Sequence, residues 1–203
     1  MSNRRQNPPM HSCRQPGAFS RSFASAKTSR AIPVRCALFE DALVQASLDP
    51  PVRAIELISR SSSSTWPREP AVVLVRDDGR FILRVKEAVV RPEDAIIPSG
   101  LRTDAPQFPE IMLTKADLRR EPRCSNARLV WSYRRRRVSA GLRFQITQTL
   151  REDGPMTLAE LVSVVRILGN STAAVLALAC ADFVELDLSA APLGPATVVK
   201  YRA

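Results

Sequence analysis

One histidine, His11, and four cysteines without a Cys-x-x-Cys pair leave this 203-residue chain short of common metal-ligating and nucleophilic side chains. The usual zinc spacings are absent, and cysteine–histidine or serine–histidine catalysis lacks its base. Cys13, Cys36, Cys124 and Cys180 read as free thiols of a reducing cytosol. No apolar run approaches the roughly 18 residues of a spanning helix, so the expectation is a soluble, cytoplasmic protein with no membrane partner. Aromatic residues are scarce too, 5% against 45% hydrophobic overall, which predicts a core of Leu, Val, Ile and Ala. Acidic residues are missing from 1–39, which carry Arg4, Arg5, Arg14, Arg21, Lys27, Arg30 and Arg35.

That last absence localises the net charge of +10. The acid-free start supplies +7, and residues 115–137, with nine basic and two acidic side chains, supply +7 again. The rest of the chain sums to −4. Basic charge gathered in a tail and one segment suits contact with phosphate. A solvated arginine-rich face is the commoner meaning of such a run.

Residues 1–36 are rich in Arg, Ser, Pro and Asn, with apolar residues at no period. They are expected to form a disordered basic arm, and the composition also fits an organellar transit segment. A helix is expected from Ala37 to Leu48, because Leu38, Ala42, Gln45 and Leu48 share a stripe. Asp49-Pro50-Pro51 stops it, since a residue before proline is driven out of the helical region. Residues 52–58 alternate like a strand, and 59–70 read as a Ser/Pro loop. The run 71–75 is continuously apolar and suits a strand buried on both faces. Asp77-Asp78-Gly79-Arg80 turns it into a returning strand ending at Lys86. Four prolines in 88–113 defeat assignment.

Beyond them Thr114-x-x-Asp117 reads as a capping box, and 126–136 as a helix burying Ala127, Val130 and Trp131. Residues 142–150 place Leu142, Ile146 and Leu150 on one face, and Thr157-x-x-Glu160 caps the next helix. A third helix follows Gly169-Asn170-Ser171, and two strands over 183–188 and 197–202 close the chain. Three helices and a hairpin have the layout of a winged helix-turn-helix.

Elements in this order resemble the TnsA-type transposon endonuclease family, in which a restriction-endonuclease-like domain precedes a winged helix. Phe39-Glu40-Asp41 with Ser47-Leu48-Asp49-Pro50 and Val52 is similar to the family's opening helix. Pro70-Ala71-Val72 sits where the family has Pro-Asp-Phe. Asp78-Gly79 through Val85-Lys86 lies on its second hairpin strand. Ser125-Asn126-Ala127 and Trp131-x-Tyr133-Arg134 resemble its inter-domain segment. The resemblance covers roughly 38–202. It implies an arm over 1–36, an α/β restriction-endonuclease-like domain over 37–137 and a winged-helix domain over 138–203.

Carried over by position, Glu40 is the family's first acid and Lys86 its lysine, so these two are the residual catalytic positions. Ala71 replaces the metal-binding Asp, and Arg84 replaces the Glu or Gln. Hydrolysis of a phosphodiester needs a hard cation held by oxygen ligands. Ala71 offers none, and Arg84 sets a fixed cation beside the place of a dication. Asp77 and Asp78 lie about 20 Å along the hairpin at 3.3 Å per residue and do not restore the set. No cofactor is expected, with magnesium or manganese implied only if cleavage survives. On the residues alone, Arg84 is an exposed strand residue or a partner for Glu40, and Lys86 an edge-protecting charge.

The first expectation is a catalytically impaired, TnsA-like protein binding DNA backbone, a transposase-type partner, or both. Arg119, Arg120, Arg134, Arg135, Arg136, Arg137, Lys200 and Arg202 are its candidate nucleic-acid contacts. An active endonuclease and a protein-partner module without nucleic acid remain the alternatives. The third C-terminal helix offers only Asn170, Ser171 and Thr172 before an apolar run, and such a helix is more often buried than a reader of bases.

Overall fold

Two short strands open the described chain where none was expected. The computed structural model describes residues 21–58, 71–86, 108–165 and 171–202. Within it β1 (Arg21–Phe23) and β2 (Ile32–Val34) pair antiparallel. The expected disordered arm over 1–36 is therefore corrected for 21–36; residues 1–20 lie outside the described residues. Each of these strands places one large apolar side chain in the core, Phe23 and Ile32, and three-residue strands leave no periodic signature. Phe23 stacks on Trp131 with ring centroids 5.2 Å apart. The loop between them hydrogen-bonds into the next sheet, Ile55 N–H donating to Lys27 O at 2.8 Å.

Helix α1 (Ala37–Ser47) and strand β3 (Val52–Ile58) fall where their periods place them, joined by the Asp-Pro-Pro stop. β4 (Ala71–Arg76) and β5 (Gly79–Lys86) form the expected hairpin. Gly79 takes a φ of 139°, open to glycine and strained for other residues. β6 (Glu110–Thr114) runs parallel to β5, giving a mixed four-stranded sheet in the order β3-β4-β5-β6. The Ser/Pro loop of 59–70 and most of the proline-rich stretch lie outside the described residues.

Strand alternation sorts this sheet into two faces. Ile55, Val72, Leu74 and Leu83 join Ala42 and Leu43 of α1 in the core. Val73 and Ile82 face the other way and are buried as well, so the central strands are covered on both sides as their apolar run requires.

α2 (Lys115–Leu118) begins at the Thr114 capping box, and α3 (Arg123–Ser132) follows. α3 starts three residues earlier than expected and ends before the arginine run, which forms turns. α4 (Ala140–Glu152), β7 (Met156–Thr157), α5 (Leu158–Val164), α6 (Ser171–Cys180), β8 (Val184–Leu186) and β9 (Val198–Tyr201) complete the chain. These make six helices among the described residues. The last strands form a three-stranded antiparallel sheet in the order β7-β9-β8. A two-residue strand such as β7 carries no readable alternation. Every described residue of α6 except Thr172 is buried.

One hydrophobic core runs through all of this, from Phe23 to Val199, and crosses the expected boundary at 137/138 without a break. Asn126 ties α3 to the loop after β8: its Nδ2 donates to Leu188 O at 2.9 Å and Ala191 O at 2.8 Å, and its Oδ1 accepts from Leu193 N–H at 2.8 Å.

Candidate nucleic-acid interface

The two residual catalytic positions are not brought together. Ala71, Arg84 and Lys86 alternate with the residues that pack on α1, so they lie on the sheet face away from that helix. Glu40 sits in the first turn of α1, and its described ion partner is Arg21, at 4.0 Å. The expected Arg84–Glu40 pairing is corrected. Arg84 Nε instead donates to Glu110 Oε1 on the neighbouring strand, at 3.1 Å. Lys86 ends β5 exposed.

Glu40 faces a different feature. A groove of about 530 Å³ is lined by the 22–26 segment, Glu40, Trp131, Arg134, Arg135, Cys180 and Ala181. Four consecutive arginines leave its rim. Arg134 lies over the Trp131 ring, 5.4 Å from its centroid, and donates to Trp131 O at 3.1 Å. Arg135, Arg136 and Arg137 are exposed and carry no ion pair to a described carboxylate. Cys180, on the groove's inner wall, donates to Val130 O, and burial pushes its thiol pKa up to about 12. That places it far from a reactive thiolate.

The other expected contacts separate into three kinds. Arg119 and Arg128 converge on Asp41, at 3.2 and 3.1 Å, fastening α1 to α2 and α3. Arg120 is exposed beside them. Lys200 is exposed on β9 but opens onto a separate cleft of about 210 Å³, where Asp49, Glu185 and Asp187 outnumber Arg123 and Lys200. A cleft with that balance does not attract phosphate.

Arg202 is a correction in full. Expected on a wing in contact with phosphate, it is buried, its side chain only 6% exposed. It donates to Val52 O at 3.0 Å and Pro50 O, and pairs with Glu185 at 2.8 Å and Asp182 at 3.4 Å. Asp182, held at a φ of 62°, also meets Lys27 at 3.3 Å. Lys27 is itself buried and donates to Asp49 O at 2.8 Å. Burial lowers its pKa, with Asp182 opposing the shift. The four groups form a buried ionic clamp between the two halves of the chain.

Sequence reading missed the groove because it placed the 22–26 segment in a disordered arm. The signal available was Phe23, a large aromatic set between Ser22 and the small residues 24–26. It also missed two stacks made by arginines of α4: Arg143 over Phe183, 4.9 Å from the centroid, and Arg151 over Tyr201, at 4.5 Å.

No protein-family model matches this chain, and no curated protein is similar to it.

Proposed function

We propose that this protein is a TnsA-endonuclease-like scaffold that holds DNA by its backbone and has lost metal-dependent cleavage. The mixed sheet with α1 on one face supports a restriction-endonuclease-like ancestry. The order α4-β7-α5-α6-β8-β9, with its three-stranded sheet, supports a winged helix. The observation that carries the function is the row of arginines 134–137 at the lip of a 530 Å³ groove. Exposed guanidinium groups that meet no carboxylate among the described residues are placed to neutralise phosphates and release their counterions.

Loss of cleavage follows from the positions of the residues. Ala71 brings no oxygen, Arg84 is committed to Glu110, and Glu40 turns to the groove. Backbone contact carries no sequence information, and α6, the element that would read bases in a winged helix, is buried. Its Ser171 is covered, Thr172 alone is exposed, and Asn170 lies outside the described residues.

Affinity for a labelled duplex, measured by fluorescence anisotropy across a salt series, tests this reading. Each lost phosphate contact lowers the log–log slope by about 0.9, so replacing arginines 134–137 with Ala should flatten it by roughly 2–4. A salt-independent affinity, or an unchanged slope in that variant, removes backbone binding. Nicking of supercoiled DNA with magnesium or manganese, abolished by Lys86→Ala, would restore an enzyme.

A further inference from the structure

The groove does not end at the arginine run. Ala181, on its wall, is two residues before Phe183, and Phe183 is stacked by Arg143 of α4. Arg202 N–H donates to Phe183 O at 3.2 Å, which sets Phe183 across from the end of β9, and Tyr201, one residue back on that strand, is stacked by Arg151, about two turns further along α4. Phe144, next to Arg143, is 66% exposed, the most exposed of the large described hydrophobics. Beside α4 there are therefore two rings from other segments, each stacked by an arginine of the helix, and one exposed ring of its own, the two arginines standing about 12 Å apart along the axis at 1.5 Å per residue. Glu152 and Asp153, both exposed, close the row at the end of α4.

We infer that this row is a binding track for single-stranded nucleic acid, continuous with the groove. The inference rests on the backbone-binding reading and deepens it by naming the form of the ligand. Duplex DNA hides its base faces, and a protein that reads it inserts a helix or ribbon into a groove. The helix in position for that, α6, is buried. A single strand exposes base faces, which stack on aromatic rings and guanidinium planes while neighbouring cations follow the phosphates. Phe144 is a solvent-facing ring, and Arg151, seven residues on, shares its face of the helix, the arrangement such a strand needs. The surrounding charge favours nucleic acid over an apolar protein partner, because Arg143 and Arg151 lie among the rings.

The test compares one 20-nucleotide sequence as single strand, as duplex and as an abasic strand of equal length, at one salt concentration, with the full chain. The single strand should bind roughly tenfold more tightly than its abasic form, since stacking is worth about that much per base. It should also bind more tightly than the duplex. Phe144→Ala should remove most of the difference from the abasic strand while leaving abasic affinity unchanged. Because Phe144 is exposed, that variant is expected to fold; circular dichroism confirms it. Equal affinity for all three ligands, with the arginine variant still weakened, overturns the track and keeps backbone binding. No binding to any of them overturns both.

Discussion

Arg202 and Asn126 show how far a residue's chemistry depends on where the fold puts it. Arg202 was expected at the surface as a phosphate contact, yet both residues are buried with most of their hydrogen-bonding capacity used. Breaking a buried charged group from its partners costs about 3–5 kcal/mol, so Arg202→Ala should lose that much stability in urea unfolding. Asn126→Ala leaves Leu188 O without its partner, and an unsatisfied buried group costs about 1–3 kcal/mol. An exposed-residue outcome, a change below about 0.5 kcal/mol, would contradict the clamp. Cys180 adds a pH signature. Its folded value, raised from 9.0 to about 12, lies above the unfolded one. The stability it contributes is full below pH 9 and is lost as pH rises toward 12. Lys27 acts in the opposite sense, its lowered value making the buried charge less costly as pH approaches 10.5. The comparison that isolates the thiol is therefore between parent and Cys180→Ala: any deficit of the variant should shrink between pH 8 and pH 10.

At the scale of elements, the parts that were legible are those whose signal is local. The capping boxes at Thr114 and Thr157 are present with both of their reciprocal hydrogen bonds, and α2 and α5 begin there. The Asp-Pro-Pro stop after α1 and the Asp-Gly turn between β4 and β5 are equally local. Thr157→Ala removes the side chain that accepts from Glu160 N–H, and such a cap is worth about 1 kcal/mol. Thermal unfolding should report that loss, with helix content kept in the folded state. What escaped was non-local. β1, β2 and β7 are too short for alternation, and β6 is defined only by its parallel register with β5. The candidate site divided in the same way. The exposed arginines 134–137 were visible as composition, whereas the groove beside them requires Phe23 to reach Trp131 across more than a hundred residues. Arg84 was seen to be wrong for a metal, but its partner Glu110 lay in a stretch that proline made unreadable.

Across the whole molecule, the expected division at 137/138 falls inside a continuous core, and this has a thermodynamic consequence. Phe23, Val130 and Trp131 share one hydrophobic cluster with Leu176, Leu178 and Val199. Cys180 donates to Val130 O, and Arg202 reaches the carbonyls at the start of β3. Separating the halves would expose these apolar faces at about 25 cal/mol per Å², and would take the Asp182 carboxylate from Lys27 and the Pro50 and Val52 carbonyls from Arg202. Because the two halves share this core, unfolding should be a single cooperative step. Far-UV circular dichroism and tryptophan fluorescence should give superimposable guanidinium transitions for the full chain. A fragment of residues 138–203 should show no cooperative transition of its own. Two separated transitions, or an independently folding fragment, would mean that the shared core contributes little and that the halves are domains in contact.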